Sequence, residues 1–183
     1  MNKITFLLLL SLLASLMSMA QPSPADVSIV IKKGVVNMGK KNNVAGDWTL
    51  TKAVKYLGTS ARIREGVNRT HTYDEMGVVL FESTNNKVPS GNVSEIQVHF
   101  SMPEKNEVVP RSSFTGSLTV DKLSINSSTT LASIRKKLKG YSESKSYIDH
   151  SYRLAKNGIY FYFQFNSSET QLVKVSFGKD RRS

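Results

Sequence analysis

Apolar and polar side chains alternate in the stretch 159–165, which reads IYFYFQF in a chain of 183 residues. A period of two residues is typical of a β-strand that buries one face against a core. A second alternating run follows at residues 172–177, and the turn-forming residues 166–169 lie between the two runs. The pattern therefore predicts an antiparallel hairpin in which the Phe side chains point into the core, while Tyr160 and Tyr162 point outward.

A similar hairpin is predicted earlier in the chain. Residues 71–73 read His-Thr-Tyr where residues 150–152 read His-Ser-Tyr, and an alternating apolar stretch follows each triplet. Residues 83–92, which contain Asn, Pro and Gly, are predicted to form the loop of this first hairpin. The polar residues 59–70 are predicted to be a connection that leads into it.

Each hairpin is preceded by two short predicted strands and one short predicted helix. Apolar residues recur with helical spacing at 50–57, where Asp47 or Thr49 is the predicted N-cap and Gly58 follows the end. The same spacing recurs 81 positions later at 131–138, again after a hydroxyl residue. We interpret the recurrence as a duplication. The alternative is a single α+β domain whose half-buried strands resemble one another.

The predicted fold class is α+β: two tandem strand-strand-helix-hairpin units form an antiparallel sheet, with the short helices packed on one of its faces. Pro103 and Pro110 mark the boundary between the units. In chain order we predict a signal peptide at residues 1–20, a lead-in at 21–26, a first α+β unit at 27–101, a linker at 102–113, a second α+β unit at 114–178 and a basic tail at 179–183. The predicted core residues are Leu50, Val54, Leu57, Val79, Phe81, Val98 and Phe100 in the first unit, and Leu131, Ile134, Leu138, Phe161, Phe163, Val175 and Phe177 in the second.

Residues 1–20 have the pattern of a secretory leader. Lys3 gives the positive start, residues 6–13 are apolar, and residues 18–20 form a small-x-small cleavage site. We expect cleavage after Ala20 and export to the periplasm or the extracellular space. A membrane anchor is the alternative, but the apolar run is shorter than the ~20 residues that a spanning helix needs. The absence of cysteine favours the bacterial envelope, where a disulfide is optional.

The order of two strands, a short helix that ends in Leu57-Gly58 and an aromatic-rich hairpin resembles the small secreted fold of the β-lactamase inhibitor proteins. It is also similar to the outer-membrane assembly lipoproteins of the BamE/SmpA type, and it is equally typical of secreted families of Bacteroidetes-type bacteria. In the inhibitors two such units form a concave protein-binding face, which the resemblance would imply here. The chain lacks both the cysteines of the inhibitors and the lipid-bearing cysteine of the assembly proteins, and no functional residue carries over.

The titratable residues predict neither a catalytic site nor a metal site, and we expect no cofactor. His71, His99 and His150 are the three histidines, and there is no cysteine to act as a nucleophile. His71 and His150 occupy equivalent positions at strand starts, which favours a structural role over catalysis. An enzyme, such as a hydrolase, is therefore the third of the functions considered.

The charge of the chain favours an acidic partner. It contains 25 Lys and Arg against 14 Asp and Glu, a formal net charge of +11. Such a balance in an exported protein favours an anionic lipid headgroup, an acidic polysaccharide or an acidic protein, whereas export disfavours nucleic acid. The alternative is a solvated helix face. The predicted basic patch consists of Arg135, Lys136 and Lys139 near one helix and Lys52 and Lys55 on the other.

The predicted binding surface is the free face of the sheet. Tyr160, Tyr162, Val78 and Leu80 are the residues expected to project from it, and Tyr offers large, rigid contact area with a hydroxyl group. The alternative is that these tyrosines only shield the sheet from water. The sequence thus predicts a secreted module that binds a protein through its sheet. The rival function is an envelope structural or assembly factor, peripherally associated with an anionic membrane surface or polysaccharide.

Overall fold

The structure is a computed structural model that describes residues 21–39, 42–43, 48–102 and 106–180. The predicted leader at 1–20, its cleavage site and the alternative cap Asp47 lie outside the described residues. The described chain forms a five-stranded sheet, an eight-stranded sheet and two α-helices. The strands are β1 (Ser28–Lys32), β2 (Val35–Met38), β3 (Asn42–Asn43), β4 (Arg62–Arg64), β5 (Arg69–Tyr73), β6 (Val78–Asn85), β7 (Val88–His99), β8 (Ser117–Val120), β9 (Leu123–Ile125), β10 (Ser142–Ser144), β11 (Ser151–Lys156), β12 (Ile159–Phe165) and β13 (Leu172–Lys179); the helices are α1 (Leu50–Leu57) and α2 (Leu131–Lys137).

The five-stranded sheet has the strand order β3-β2-β1-β8-β9. Strand β1 pairs with β2 in an antiparallel hairpin, whose turn residues Lys33 and Gly34 have φ angles of 51° and 80°. Two residues with positive φ are typical of the turns that match the twist of paired strands. On its other side β1 pairs in parallel with β8, so this sheet joins the two halves of the chain.

The eight-stranded sheet has the order β10-β11-β12-β13-β7-β6-β5-β4, and all its pairs are antiparallel. Strands β13 and β7 meet at its centre, where Val175 lies opposite Val98 and Phe177 opposite Ile96. Each half of the chain therefore contributes four neighbouring strands to one continuous sheet.

One hydrophobic core lies between the two sheets and the helices. Every second residue of β12 enters it, as predicted, and the Phe161 and Phe163 rings stack with centroids 6.0 Å apart. Ala53 and Leu57 of α1 and Ile134 of α2 complete the same cluster. All seven predicted core residues of the second unit belong to this cluster or pack against it, as do Leu50, Leu57, Val98 and Phe100 of the first, whereas Val54, Val79 and Phe81 do not.

The helices form where the apolar spacing predicts them. Helix α1 begins after Thr49 and ends before Gly58, whose φ of 79° would strain any residue with a Cβ. Helix α2 is capped by Thr130, whose side chain accepts a hydrogen bond from the backbone N–H of Ser133 at 3.2 Å.

The predicted α+β class is wrong, because strands dominate the described chain. The helices span only eight and seven residues, and they pack with a second sheet rather than alone on one face. The predicted connection at 59–70 contains β4 and the start of β5. The short strands β4 and β10 are polar edge strands, so no buried side chains produced an alternating pattern that could identify them. The sheets are also not purely antiparallel, since β1 and β8 run parallel.

The predicted loop at 83–92 is wrong as well. Strands β6 and β7 continue through it as a two-stranded ribbon, which turns at Asn86 and Lys87 with φ angles of 49° and 67°. The ribbon tolerates Pro89 and Gly91 because its register is irregular between Phe81 and Thr84 and because, among the described strands, β7 pairs only with β6 at these two residues.

Candidate binding groove

The face of the eight-stranded sheet that points away from the core carries a groove of about 1010 Å³. The five-stranded sheet and both helices pack on the opposite, inner face. Residues 106–113 cover one end of the outer face, where Thr72 Oγ1 donates to the carbonyl of Val108 at 3.3 Å. We call this feature the outer groove, and six side chains define it: Phe81, Glu95, Arg153, Tyr160, Tyr162 and Asp180.

The position of Tyr160 depends on the glycine opposite it. Gly178 of β13 lies opposite Tyr160 of β12 on one side and opposite Glu95 of β7 on the other. A Cβ at Gly178 would lie 2.6 Å from the Tyr160 hydroxyl oxygen and 2.5 Å from the carbonyl of Ser94. Because Gly178 leaves this space empty, the Tyr160 ring crosses β13 and donates its hydroxyl to Glu95 Oε2 at 2.6 Å. Burial and this hydrogen bond both raise the pKa of Tyr160.

Tyr162 lies beside Tyr160 on the same face of β12. The two ring centroids are 5.4 Å apart with an interplanar angle of 65°, an edge-to-face arrangement. Both side chains are half-buried. The groove therefore has an aromatic floor whose geometry is fixed before any ligand arrives.

A buried ion pair closes the groove beside Tyr160. Arg153 Nη2 and Asp180 Oδ2 are 2.8 Å apart, and their side chains are only 9% and 11% exposed. The Arg153 guanidinium lies 5.7 Å from the centroid of the Tyr160 ring, and its Nη1 donates to Ser144 Oγ at 3.2 Å. Both charges of the pair are thus matched within the protein.

A row of hydrogen bonds extends from the groove along β7. Gln97 Nε2 donates to Glu95 Oε1 at 2.7 Å, which leaves Gln97 Oε1 to accept from His99 Nε2 at 3.2 Å. His99 therefore carries its proton on Nε2. Burial, together with the positive charge of Lys174 opposite it on β13, lowers the pKa of His99 to about 3. Burial also lowers the pKa of Lys174, against the effect of Glu95.

The structure places the predicted binding residues on opposite faces of the sheet. Tyr160 and Tyr162 project into the outer groove as predicted. The orientation predicted for Val78 and Leu80 is wrong, because both are fully buried in the core opposite Val98 and Ile96. Val79 and Phe81, predicted to be inside, take the outer face instead; Phe81 lines the groove. An alignment of Gly77 with Gly158 places Val78 and Leu80 at the inward positions of Ile159 and Phe161, and could have identified this register.

The predicted basic patch lies on the side of the molecule away from the outer groove. Lys52, Lys55, Lys136 and Lys139 are exposed on or next to the two helices. Arg135 is already paired, since its Nε and Nη2 atoms lie 3.1 and 2.6 Å from the carboxylate of Glu143. Four of the five predicted residues thus present their charge to solvent or to a neighbour, while Arg135 is neutralised.

The two histidines predicted to be structural each contact a glutamate. His71 Nε2 lies 3.0 Å from Glu82 Oε2 in a pair whose side chains are 5% and 2% exposed. His150 Nδ1 lies 3.2 Å from Glu169 Oε1 at the surface, and Tyr152 donates its hydroxyl to the same carboxylate. Their structural role stays a prediction. Among the described residues, no three His, Asp or Glu side chains converge in a way that could hold a metal ion.

Sequence reasoning missed Glu95, Arg153, Asp180 and Gly178. Tyr160 and Glu95 are 65 residues apart, and only the adjacency of β13 and β7 brings them together. The one available signal was Gly178, a glycine inside an otherwise apolar alternating strand, since such a glycine often marks a close approach by another group.

Comparisons with known proteins give a family and three structural likenesses, two of which follow. Of the described helices, none is both long and apolar enough to cross a membrane. No curated protein matches the chain. An extracellular protein containing an SCP domain from Bacillus anthracis is similar over 77% of this chain and 49% of that chain, with 12% identity and a TM-score of 0.48. A cysteine-rich secretory protein from Staphylococcus aureus is similar over 74% of this chain and 45% of that chain, with 10% identity and a TM-score of 0.46.

This chain thus spans about half the length of each of those two proteins. Residues 39–135, more than half of the 183, match the model of the family described as a domain of unknown function, DUF7738. The chain therefore belongs to the DUF7738 family.

Proposed function

We propose that this chain is an exported, non-catalytic binding module whose ligand binds in the outer groove. The observation that carries the proposal is the aromatic floor, in which Tyr160 is held by Glu95 and lies edge to face with Tyr162. Rigid aromatic side chains in a concave, preformed site are typical of ligand recognition. Export rests on the leader pattern of residues 1–20.

The polar groups of the groove support binding rather than catalysis. Glu95 accepts hydrogen bonds from Tyr160 and Gln97, and Arg153 pairs with Asp180. Groups that are held in this way orient a ligand, whereas a general acid or base must exchange its proton with the substrate. Because these polar groups are already paired within the protein, the arrangement fits a non-catalytic role.

The shape of the groove supports a narrow ligand better than a folded protein partner. A standard protein interface uses about 20–30 residues a side around an apolar centre. With Val78 and Leu80 buried, the apolar side chains that line the groove are Tyr160, Tyr162, Phe81 and the exposed Val67, with the buried Trp48 and Val93 behind them. An extended segment of a ligand fits such a surface, and protein binding through it would require that the partner supply a protruding segment.

Association with an anionic envelope surface is the second candidate. It is favoured by the exposed lysines Lys52, Lys55, Lys136 and Lys139, which lie with the helices on the side away from the groove. Attraction of this kind weakens strongly as salt is added. Binding in the outer groove is not expected to depend on these lysines.

The fluorescence of Trp48 provides a direct test, because it is the only tryptophan of the chain and it lines the groove. Candidate oligosaccharides, peptides and anionic vesicles are titrated into the protein. We expect a ligand to shift the Trp48 emission, and Tyr162→Ala to weaken its binding about tenfold, the scale of one lost aromatic contact.

Tyr147→Ala is the matched control, since Tyr147 is 93% exposed and lies outside the groove. Its affinity should equal that of the unmodified protein. Binding that survives Tyr162→Ala but is lost in Lys136→Ala/Lys139→Ala and at high salt would replace the groove with the anionic surface as the functional site.

A further inference from the structure

We propose that the outer groove binds an uncharged, hydroxyl-rich glycan chain. The inference rests on the proposed function, because it names the ligand class of the same site. Four features carry it: the charge balance of the groove, its aromatic floor, its amide and hydroxyl rim, and the pairing of the strands beneath it.

The charges that line the groove cancel, although the chain as a whole has a net charge of +11. Arg153 and Lys179 are the basic residues of the lining, and Glu95 and Asp180 are the acidic ones. A polyanionic ligand would meet two carboxylates here, and a cationic peptide would meet a guanidinium and an ammonium group. An uncharged ligand avoids the repulsion between like charges in both cases.

The aromatic floor suits the apolar faces of sugar rings. A pyranose presents C–H groups on its faces and hydroxyl groups around its edge, so it packs on an aromatic ring while its hydroxyls remain free to bond. Tyr160 and Tyr162 offer two adjacent rings, with Phe81 also in the lining. The hydrogen bond to Glu95 prevents Tyr160 from turning away.

The rim of the groove offers the hydrogen-bonding groups that sugar hydroxyls need. Side-chain amides and hydroxyls both donate and accept, as sugar hydroxyls do. Within the described part of the chain, the side chains of Asn68, Ser83 and Asn85 make no hydrogen bond to the protein, so they are free for a ligand. The rim residues of this kind are Asn68, Ser83, Thr84, Asn85, Ser90 and Asn92.

The size of the groove fits a chain of several sugars. Its volume of about 1010 Å³ is at the upper end of the ~300–1,000 Å³ typical of small-molecule pockets. Several linked rings can therefore lie along it, each with one face toward the sheet.

The strands beneath the groove disfavour a peptide as the ligand. Extended peptides commonly bind by adding a strand to an open sheet edge. Strand β12 already pairs with β11 and β13, and β13 already pairs with β12 and β7. Their backbone groups are used within the sheet, so the floor beneath Tyr160 and Tyr162 presents side chains alone, and the open edge of β7 in the ribbon borders the groove without forming this floor. A glycan can bind through contacts with side chains, so the lack of free backbone groups does not weaken its binding.

The test measures binding to a printed array of neutral and acidic glycans and to a peptide library. The proteins compared are the unmodified chain, Tyr162→Ala, Tyr162→Phe and the control Tyr147→Ala. We expect at least one neutral glycan to bind, Tyr162→Ala to weaken it about tenfold, and Tyr162→Phe to retain most of the affinity because the ring remains. The affinity should be the same at about 50 and about 500 mM NaCl.

Three outcomes overturn the glycan assignment. Binding only to acidic glycans, abolished by salt, would assign the ligand to the lysines of the helices. Peptide binding that Tyr162→Ala weakens would leave the groove as the binding site and overturn only the ligand class. If Tyr162→Ala changes the binding of no glycan and no peptide, the proposed function fails together with the inference. Circular dichroism and the melting temperature of each variant show whether it is folded.

Discussion

At the scale of single residues, the absent side chain of Gly178 determines where Tyr160 lies. We predict that Gly178→Ala displaces the Tyr160 ring, since the new Cβ would overlap both the ring and the Ser94 carbonyl. Overpacking of this kind lowers the free energy of unfolding by about 1–3 kcal/mol. Urea unfolding measures the loss, and Trp48 fluorescence measures the affinity of the groove.

Gly66→Ala is the control for this substitution, because its Cβ would have only the Asn68 carbonyl nearby, at 3.3 Å. It should leave both stability and groove affinity close to those of the unmodified chain. Equal unfolding midpoints for Gly178→Ala and Gly66→Ala would contradict the role assigned to Gly178.

His99 should make the stability of the protein depend on pH. Its pKa of about 3 lies below the ordinary value of 6.5. Between these two pH values His99 is therefore protonated in the unfolded chain and neutral in the folded chain. The free energy of unfolding therefore falls as the pH drops below 6.5 toward 3. We predict a loss of about 2 kcal/mol from this residue between pH 6.5 and about 4.5.

Denaturant unfolding of His99→Gln across this range checks the prediction. Its stability should fall less steeply with acidification, while Gly66→Ala, which changes no titratable group, should keep the slope of the unmodified protein. Parallel profiles for His99→Gln and the unmodified chain would show that His99 does not cause the slope.

At the scale of elements, the success of sequence reasoning depended on how each strand is buried. In β12 one face is buried and the other is half-open, so the apolar residues alternate and the register could be predicted. In β6 the residues Val78, Val79 and Leu80 are all fully buried, because residues near 106–113 cover the outer face there. A strand buried on both faces has no period of two, and its register cannot be inferred from apolar residues alone.

The polar elements explain the rest of the difference between prediction and structure. Strands β4 and β10 form the two edges of the large sheet and consist of Arg-Ile-Arg and Ser-Glu-Ser. Their place depends on backbone pairing with β5 and β11, which leaves no hydrophobic pattern. The outer groove was predicted only as far as Tyr160 and Tyr162, since its other members come from strands that are distant in sequence.

At the scale of the whole molecule, both halves of the chain contribute to both sheets. The resemblance to the inhibitor and assembly proteins stays a prediction. Because β1 pairs with β8 and β7 with β13, neither half can bury its apolar surface alone. We predict a single cooperative unfolding transition, and we expect a fragment of residues 21–113 to remain unfolded.

Far-ultraviolet circular dichroism and Trp48 fluorescence should give coincident denaturation curves for the whole chain. The fragment should show neither a cooperative transition nor dispersed amide resonances. Two separate transitions, or a folded fragment, would mean that the halves are independent units.

The parallel pairing of β1 with β8 also affects when the protein can fold. The hydroxyls of Ser28 and Ser117 meet at 3.1 Å, although 89 residues separate them along the chain. A growing chain leaves the ribosome N-terminus first, so β1 has no partner on this side until β8 has emerged. Contacts between such distant residues form late, because a long loop must close first. The five-stranded sheet can therefore be completed only after residues 117–125, which lie in the second half of the chain, have been made.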